Sequence, residues 1–403
     1  MTGLLIVLYH MKQSFYICTV ACMRKRTDNQ KIYDYMIKNG FKFESDYGKA
    51  DMIFIDTCAY CQMEEDNSVN AIQRCLDYKK ESAQIIVLGC LPAINPLRLE
   101  QMGKLHCVPS GRFNELDKFI KPKIDYDSIP DNTKVRDFYS PFVKEGLNQK
   151  VGQNNLLGKY GYTGNDVNHV KVATGCLGNC SYCAIKLAWG KLKSRPLEDI
   201  LKDFKRVIKN GAKEVTLEAH DLSSYGLDID TNVVALLRGV FGVEGDYKLV
   251  LHDFNPLWLM HFYKELKEIL VNNHQRIKYI NIPVQSGSNR ILKLMHRPYK
   301  IEQIKEMLSD LMQAAPSLWV LCDIMIGFPG ETSEDFEETK MFVKEMGEKY
   351  KINYWFTKFS VRPNTEAEKM ENKVDEKTKE ERENALRMVL SSKAEPAVTV
   401  AAA

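Results

Sequence analysis

Three cysteines stand close together in the stretch 170-VKVATGCLGNCSYCAIKLAWG-190. Cys176, Cys180 and Cys183 are spaced four and then three residues apart, between a β-rich run and a helical one. Structural zinc sites and ordinary iron–sulfur clusters take four protein ligands. Three cysteines therefore fit a [4Fe–4S] cluster whose fourth iron is free to bind a substrate or cofactor. Two alternatives stay open: unrelated thiols in a loop, and a zinc ion with a fourth ligand such as His169 or His220.

Three more cysteines each follow a predicted strand in the first half of the chain. They are Cys22, Cys58 in the run DTC, and Cys90 in the run GCLP. In an open parallel sheet, ligands bind in the crevice at the carboxyl ends of the strands. Three cysteines from three such ends are therefore expected to converge on one metal centre. Cys61 has a metal-like spacing to Cys58, but we prefer Cys58 as the ligand because it ends a strand.

The elements that must position this first set of cysteines alternate between strand and helix. We predict strands at 14–20, 51–56 and 85–89 and helices at 27–40 and 63–80. The first helix is expected to begin with Thr27 or Asp28 as its N-cap. Short apolar strands that alternate with helices indicate an α/β fold, here a Rossmann-like domain with a parallel sheet.

The second half of the chain alternates in the same way. We count six strands, at about 169–174, 213–218, 248–253, 277–282, 318–326 and 352–359. Helices lie near 196–210, 231–240, 257–271, 301–314 and 333–347, and a last charged helix covers about 374–392. Six βα units indicate a partial (β/α)6 TIM barrel, whose chemistry takes place on loops at the carboxyl ends of the strands. The cysteine loop and the other polar clusters fall in these loops.

Composition sets the broad class. The chain has 403 residues, 44% of them hydrophobic and 27% charged, which is typical of a globular protein with more than one domain. A net charge of +3 gives no strong basic field of the kind that nucleic-acid binding favours. Eleven cysteines, an odd number, without a signal peptide argue against a disulfide framework and favour the reducing cytoplasm. The apolar run GLLIVLY near the start is too short to span a membrane.

Five motifs in a fixed order carry a resemblance to a known family. The cysteine loop, with Tyr182 just before its last cysteine, is followed by 194-SRPLEDI-200, 214-EVTLEAHDLSSYG-226, 282-IPVQSGSNRILKLMHR-297 and 323-DIMIGFPGETSEDFEET-339. Together with cysteines at the ends of three N-terminal strands, they resemble the radical S-adenosylmethionine (SAM) methylthiotransferases. The resemblance covers about residues 14–390. Ala21 and Asp56 depart from the glycine and asparagine that the family often has at these positions.

The resemblance implies two [4Fe–4S] clusters. Cys176, Cys180 and Cys183 would hold the cluster that binds SAM through its amino and carboxylate groups. Cys22, Cys58 and Cys90 would hold an auxiliary cluster whose open iron carries the sulfur to be transferred. Reductive cleavage of SAM would give a 5′-deoxyadenosyl radical that abstracts hydrogen from an unactivated C–H bond. The substrate radical would take up sulfur, and a second SAM would supply the methyl group.

The resemblance also implies a SAM pocket at the ends of the barrel strands. Its expected residues are Tyr182, Glu218, Gln285, Ser286, Gly327, Gly330 and Glu331. Glu218 is expected to bind the SAM amino group, since a carboxylate is rarely buried in a strand unless it has a specific partner. Glycines let the backbone approach a ligand closely, although the turn at Gly327 also fits a plain loop before an acidic helix start. Arg195, Lys358 and Arg362 are weaker candidates for binding a carboxylate or phosphate, and surface charge explains them equally well.

The predicted domain boundaries follow from these assignments. The N-terminal methylthiotransferase domain covers 11–121, a linker 122–168, the radical SAM barrel 169–370, the C-terminal helix 371–393 and a disordered tail 394–403. Residues 1–10 are expected to be an upstream extension, because the run that begins at Met11 leads into the first strand. The resemblance also implies a C-terminal TRAM domain, which most family members carry and which helps to engage RNA or the ribosome. After residue 370 this chain offers one helix and a tail without strand patterns.

Two acceptors fit such chemistry. The favoured one is a peptide or protein side chain, for example in a ribosomally synthesised precursor peptide, because neither a TRAM domain nor a strong net charge supplies phosphate contacts. The other is adenosine 37 of a tRNA, of the N6-threonylcarbamoyladenosine type. A non-catalytic iron–sulfur or zinc binding protein is the remaining alternative. The implied partners are a low-potential electron donor such as flavodoxin or ferredoxin, with no membrane involved.

Overall fold

The computed structural model describes residues 13–22, 25–133, 136, 138, 168–350 and 352–391. The chain divides into two compact units, residues 1–165 and 166–403. The predicted extension 1–10, the predicted tail 394–403 and most of the predicted linker 122–168 lie outside the described residues. Within the described ranges, no helix is both long enough and apolar enough to cross a membrane.

The first unit is built on a parallel sheet, as the sequence predicts. Its five strands are β1 (Ser14–Thr19), β2 (Lys42–Phe43), β3 (Met52–Thr57), β4 (Gln84–Gly89) and β5 (His106–Pro109). They lie in the order β2-β1-β3-β4-β5, and every neighbouring pair is parallel. The central strands β1, β3 and β4 are the three that sequence patterns predict, because they are almost wholly buried and apolar.

The helices of the first unit follow the strands. They are α1 (Lys25–Lys38), α2 (Gln62–Tyr78), α3 (Leu91–Ile94), α4 (Pro96–Glu100) and α5 (Leu116–Ile120), with 3-10 turns at Phe113–Glu115 and Tyr126–Ser128. The predicted N-cap of α1 is wrong, because the helix already includes Lys25 and leaves Thr27 and Asp28 in its first turn. The Lys25 amide donates to the Cys22 carbonyl at 2.9 Å, a local contact that extends the helix.

The second unit contains the six predicted parallel strands. They are β6 (Asn168–Lys171), β9 (Glu214–Glu218), β10 (Lys248–Leu251), β11 (Ile277–Gln285), β12 (Val320–Ile326) and β13 (Asn353–Lys358). A separate antiparallel pair is formed by β7 (Ala173–Thr174) and β8 (Lys193–Ser194). The large sheet has the order β13-β12-β11-β10-β9-β6. Among the described strands, its edges β6 and β13 pair with one neighbour each, so the barrel is partial, as predicted.

Helices lie between these strands and after the last one. They are α6 (Ile185–Trp189), α7 (Leu197–Lys209), α8 (Val233–Phe241), α9 (Pro256–His261), α10 (Tyr263–Asn273), α11 (Asn289–Leu294), α12 (Ile301–Ala314), α13 (Ser333–Tyr350) and α14 (Glu376–Ser391). Short 3-10 turns occur at Leu222–Ser224 and His274–Arg276. The helix predicted near 257–271 is divided at Phe262, and the six-residue α11 is an addition to the sequence prediction.

Candidate active site

The first unit brings together the three cysteines that the sequence analysis singles out there. Cys22 follows β1, Cys58 follows β3 and Cys90 follows β4, and these three strands are neighbours in the sheet. Cys22 is exposed, Cys58 is buried and Cys90 is half-buried. Burial raises the pKa of the Cys58 thiol, and the neighbouring thiols of Cys22 and Cys90 raise it further. The three sulfurs are therefore close enough to affect one another electrostatically.

The backbone around these cysteines leaves little freedom. Gly89 has φ +103, and a Cβ at this position would overlap the Thr57 carbonyl on the neighbouring strand. The Cys90 amide donates to that same carbonyl at 3.0 Å. Ser68 in α2 accepts from the Cys58 amide at 3.0 Å and donates to the Cys58 carbonyl at 2.8 Å. These contacts fix the positions from which the Cys58 and Cys90 side chains extend.

A buried group of charged residues lies beside the same strand ends. Burial raises the pKa of Asp56 to about 6, although the charge of Lys25 acts in the opposite direction. Asn29 donates to Asp56 Oδ2 at 2.8 Å, and Asp56 Oδ1 is buried without a hydrogen-bond partner among the described residues. Burial lowers the pKa of Lys25, but Asp28, Asp56 and the nearby thiols raise it more. The lysine therefore stays charged close to the cysteines.

The second unit places Cys176, Cys180 and Cys183 in the loop between β7 and α6. Burial raises the pKa of the Cys176 thiol to about 12; the Asp221 carboxylate and the other two thiols raise it further, whereas the Gly178 amide lowers it. That amide donates to Cys176 Sγ at 3.2 Å. The three thiols of the loop are thus close enough to affect one another electrostatically, and one N–H group already donates to the Cys176 sulfur.

The segment after α11 holds this cysteine loop in place. Ser181 donates from its amide to the Met295 carbonyl at 3.2 Å and from Oγ to the Leu294 carbonyl at 2.8 Å. Arg297 donates from Nη2 to the Tyr182 hydroxyl at 2.7 Å. The fourth motif of the sequence, which contains these partners, therefore supports the first. Only the folded chain brings the two together, because they are more than 100 residues apart in sequence.

Neither set of cysteines has the compactness of a site for one ion. Across the ranges that the structure describes, no three His, Cys, Asp or Glu side chains are grouped so that they could hold a single metal ion. In a [4Fe–4S] cluster each cysteine binds a different iron, so the sulfurs stand farther apart than ligands of one ion do. The Gly178 amide, which donates to Cys176 Sγ, is a feature that suits an anionic cluster nearby.

Glu218 and Tyr182 lie where the sequence analysis expects them, at the mouth of the barrel. Glu218 ends β9 and is buried, and its Oε2 lies 3.6 Å from His169 Nδ1 on the neighbouring strand β6. The Tyr182 ring meets the Phe328 ring edge-on, with centroids 6.2 Å apart. Burial raises the pKa of Tyr182, which keeps its phenol neutral. Glu218 is thus in contact with the neighbouring strand, and Tyr182 with the loop after β12.

Gln285 and Ser286 follow in the same mouth at the end of β11. Gln285 is buried and has φ +78, a left-handed conformation that is rare for a residue other than glycine and costs about 1 kcal/mol or more. Such strain often occurs at functional sites. Ser286 Oγ accepts from the Ser288 amide at 3.1 Å and lies 3.3 Å from Thr339 Oγ1 in α13. The Ser286 hydroxyl is thus engaged within the fold.

Gly327, Gly330 and Glu331 form the expected turn after β12, but their contacts lead to the C-terminal helix. Glu331 Oε2 accepts from the Gly327 amide at 2.9 Å and from Arg382 Nη1 of α14 at 2.5 Å. A Cβ on Gly327 would overlap the side chain of Lys379, also in α14. This turn therefore anchors α14 to the barrel, and the Glu331 carboxylate is already paired.

The three weaker candidates differ in their surroundings. Arg195 donates to the Lys171 carbonyl and to Asp203 Oδ2, both at 2.7 Å, so its guanidinium is committed to the fold. Lys358 is exposed at the end of β13. Arg362 is buried just beyond it and donates to the Val361 carbonyl at 2.6 Å.

Sequence reasoning missed two buried charges beside the cysteine loop. Burial raises the pKa of Asp221, which accepts from Ser223 Oγ at 2.6 Å and interacts with Cys176. Burial lowers the pKa of Arg297, but Tyr182, Tyr299 and Cys180 raise it more, so the guanidinium stays charged. Both residues lie inside motifs of the family resemblance, in the runs HDLSSYG and LMHR. Their position inside these motifs was the signal that could have identified them.

Comparisons with known proteins agree with this geometry. The model of the Radical SAM superfamily matches residues 170–343, and the model described as Uncharacterized protein family UPF0004 matches residues 14–108. The ribosomal protein uS12 methylthiotransferase RimO of Clostridium botulinum strain Hall is 30% identical over 386 residues, which are 93% of this chain and 81% of the relative. The probable threonylcarbamoyladenosine tRNA methylthiotransferase of Methanocaldococcus jannaschii is 29% identical over 380 residues, 93% and 82% of the two chains.

Solved structures show the same fold at low identity. The radical SAM methyltransferase TsrM from Kitasatospora setae, determined with cobalamin and a [4Fe–4S] cluster, gives a TM-score of 0.59 at 14% identity and covers 89% of this chain and 77% of its own. The cobalamin-dependent SAM radical enzyme OxsB gives a TM-score of 0.56 at 13% identity, and the match covers 95% of this chain and 56% of the OxsB chain. Fold and site define a radical SAM enzyme with an N-terminal parallel-sheet unit.

The identity to the uS12 methylthiotransferase over nearly the whole chain narrows this class. The chain belongs to the radical SAM methylthiotransferase family. It is accordingly an enzyme that uses SAM and [4Fe–4S] clusters to transfer a methylthio group. The predicted family, fold class, cofactors and enzyme type are confirmed.

Proposed function

We propose that the acceptor of the methylthio group is a protein or peptide side chain. The observation that carries this choice is that three arginines of the second unit are already paired with carboxylates. Arg195 pairs with Asp203 at 2.7 Å, Arg382 pairs with Glu331 at 2.5 Å, and Arg290 forms an ion pair with Asp335. Cations that are already neutralised by carboxylates within the fold contribute little to binding phosphates.

The buried carboxylates of the barrel mouth also favour a protein or peptide acceptor. Glu218 ends β9 and Asp221 follows it, and both side chains are buried. RNA binding depends on Lys and Arg side chains that neutralise several phosphates. Such an interior is better suited to a neutral polypeptide than to a polyanion. One relative, RimO, bears the name of a methylthiotransferase of ribosomal protein uS12, which is an acceptor of this class.

In the proposed enzyme the six cysteines hold the two clusters. Cys176, Cys180 and Cys183 bind the cluster of the second unit, and Cys22, Cys58 and Cys90 bind the auxiliary cluster of the first. The clusters supply the electron that cleaves SAM and the sulfur that is transferred. Glu218 and Gln285, which are buried at the ends of β9 and β11, would position SAM. Buried walls around the mouth exclude water from the radical.

The ligand assignment has a direct test. Iron and acid-labile sulfide are measured after anaerobic reconstitution in the unchanged protein and in the Cys176/Cys180/Cys183→Ala variant. We expect about eight irons in the unchanged protein, which holds two cubane clusters, and about four in the variant, which holds one. A fall from about four irons to none would mean that Cys22, Cys58 and Cys90 hold no cluster. The Cys18→Ala variant is the matched control, because Cys18 is a core thiol within β1.

The acceptor is tested in two separate reactions, one with each candidate substrate. The reconstituted enzyme is given SAM, dithionite, and either purified uS12 or unmodified tRNA, and both products are examined by mass spectrometry. We expect the replacement of one hydrogen by a methylthio group on the protein and none on the tRNA. Modification of the tRNA alone would refute the protein acceptor. Modification of neither, with SAM still cleaved, would direct the search to peptides such as a ribosomally synthesised precursor.

A tRNA acceptor is the second candidate, and one feature favours it. The segment after the cysteine loop carries the exposed residues Lys186, Leu187, Lys191 and Lys193 around Trp189. The Trp189 ring lies 4.8 Å from the His220 ring. Basic side chains interleaved with aromatic rings are typical of surfaces that bind unpaired bases. The Methanocaldococcus jannaschii relative bears the name of a tRNA methylthiotransferase.

This second candidate makes its own prediction. If tRNA binds, the Lys186/Lys191/Lys193→Gln variant loses affinity and the slope of binding against salt becomes shallower. The matched control replaces Lys202, Lys205 and Lys209 of α7 in the same way. Binding of tRNA that is weak, and equal in both variants, excludes this surface as an RNA site.

We also propose the reducing cytoplasm as the location and flavodoxin or ferredoxin as the electron donor. All eleven cysteines lie among the described residues, and no disulfide joins any of them. Structural disulfides would be expected in an oxidising compartment. Replacing dithionite by reduced flavodoxin tests the donor, with SAM cleavage as the readout.

A further inference from the structure

A lysine is buried beside the three cysteines of the first unit. The Lys25 side chain is 2% exposed. Its ammonium donates to Ser110 Oγ at 2.8 Å and to Asp28 Oδ2 at 3.3 Å, and it lies 4.6 Å from the centroid of the Phe113 ring. Lysine is almost never buried to this degree unless it is paired.

The lysine is connected to the cysteines through Ser110. The Ser110 hydroxyl lies 3.6 Å from Cys90 Sγ, so ammonium, hydroxyl and sulfur form a chain of polar contacts. The charge of Lys25 also acts on the thiols of both Cys90 and Cys22. Its own amide bonds to the Cys22 carbonyl at 2.9 Å. Lys25 is thus coupled to two of the three cysteines.

Stability alone gives a poor reason for this arrangement. A buried ion pair such as Lys25–Asp28 contributes little net stability, because the desolvation of both charges offsets their attraction. The helix is already fixed by the fully buried side chains of Ile32, Tyr35 and Met36. A cluster held by three thiolates, with a sulfur to be transferred, is in contrast strongly anionic. A buried cation and a hydroxyl beside it would stabilise that charge.

We propose that Lys25 is a positioning residue of the auxiliary site, whose ammonium stabilises the negative charge of the cluster and of the transferable sulfur. The inference rests on the proposed function, which assigns the auxiliary cluster to Cys22, Cys58 and Cys90. Net charge and hydrogen bonds near the sulfurs set the reduction potential of such clusters. Lys25 accordingly makes the auxiliary cluster easier to reduce and its affinity for a sulfur anion higher.

The first test measures the potential of the auxiliary cluster alone. The Cys176/Cys180/Cys183→Ala protein serves as background, and its remaining cluster is titrated with EPR detection. We expect Lys25→Met to shift the potential to more negative values and Asp28→Asn to shift it to more positive values. Lys31→Met is the matched control, because Lys31 lies in the same helix but faces Asp131 at 3.3 Å and the Tyr126 ring. It should leave the potential unchanged, and so should Lys25→Arg.

The second test measures anion binding at the same cluster, with sodium hydrosulfide as the probe. Lys25→Met should weaken hydrosulfide binding by about tenfold, the order expected from the loss of one nearby charge in a partly buried site. Lys31→Met should bind as the background protein does. A residue with a purely structural role would change iron content or stability but would move neither the potential nor this affinity in a charge-dependent direction.

The outcomes separate the inference from the function on which it rests. If the background protein binds iron but the Lys25 and Asp28 variants have the same reduction potential as it does, the role of Lys25 is overturned. The proposed function then stays intact. A background protein without iron overturns the proposed function itself. If Lys25→Met does not fold, the Lys25→Met/Asp28→Asn variant keeps the site neutral. Its comparison with Asp28→Asn then isolates the lysine charge, and equal potentials in these two proteins would again overturn the inference.

Discussion

Arg297 Nη2 donates a hydrogen bond to the Tyr182 hydroxyl at 2.7 Å, inside the loop that carries Cys180 and Cys183. The remaining donors Nε and Nη1 of this buried guanidinium have no hydrogen-bond partner among the described residues. This charged guanidinium therefore lies next to the cysteine loop with two donors that no described residue uses. The bond to Tyr182 fixes the plane of the guanidinium and with it the direction of those donors.

Replacing Tyr182 by Phe is therefore expected to destabilise the second unit. The variant loses the hydroxyl that accepts from Arg297 and leaves a third buried donor unsatisfied, which costs about 1–3 kcal/mol. Urea denaturation at neutral pH measures the change in the free energy of unfolding. Tyr350→Phe is the control, because the Tyr350 hydroxyl accepts from Gln313 at 3.3 Å at an exposed position. Equal stabilities of the two variants would contradict the prediction.

Gly175→Ala is expected to remove the SAM-binding cluster and leave the auxiliary one. Gly175 precedes Cys176 with φ +71, and a Cβ there would overlap the Lys191 carbonyl, so the loop must move. Gly190→Ala is the matched control, because Gly190 has φ +72 in the same loop region and open space around its Cβ position. Iron content should fall by about half in Gly175→Ala only. A similar loss in both variants would assign the effect to backbone strain alone.

The fold was predictable where burial leaves a strong pattern. Strands β1, β3 and β4 are apolar runs bounded by polar residues, so their positions and the parallel sheet follow from the sequence. The two-residue β2 and the edge strand β5, with its His106 and Cys107, carry no such pattern. They form because the neighbouring strand offers free hydrogen-bonding groups, and this depends on the tertiary structure.

The candidate site was predictable in its cysteines but not in its buried charges. A cysteine spacing is local and can be read directly from the chain. The partnership of Arg297 with Tyr182 joins residues 115 positions apart, and that of Glu331 with Arg382 joins residues 51 positions apart. Sequence patterns treat such residues as surface charges. The family resemblance implies a SAM-pocket role for Glu331, which stays a prediction; the structure adds that its carboxylate pairs with Arg382 of α14.

Arg382→Met should detach α14 from the barrel. Glu331 is 1% exposed and Arg382 10% exposed, so the substitution leaves a buried carboxylate without its cation. Breaking a buried pair in this way costs about 3–5 kcal/mol. The control is Arg387→Met in the same helix, whose pair with Glu383 is solvent-exposed and contributes about 0–1 kcal/mol. Limited proteolysis after residue 370 should be accelerated in Arg382→Met and unchanged in Arg387→Met. Equal proteolysis of both variants would contradict the anchoring role.

The Asp51–Lys80 pair predicts a pH dependence of the first unit's stability. The hydrogen bond from Lys80, at 2.5 Å, and the Ser14 amide lower the pKa of Asp51 from 3.8 to about 2. A carboxyl whose pKa is lower in the folded state stabilises the fold above its unfolded pKa. That contribution is lost as the pH falls from about 4 through about 2.

Asp51→Asn should therefore destabilise the protein at pH 7, by less than about 1 kcal/mol because both side chains are partly exposed. The difference from the unchanged protein should shrink as the pH falls below 4 and approach zero below the folded pKa of about 2. Urea denaturation at a series of pH values measures it. Asp77→Asn, on the exposed side of α2, is the control and should have no such dependence. A destabilisation by Asp51→Asn that is as large at pH 2 as at pH 7 would show that the carboxylate charge is not its cause.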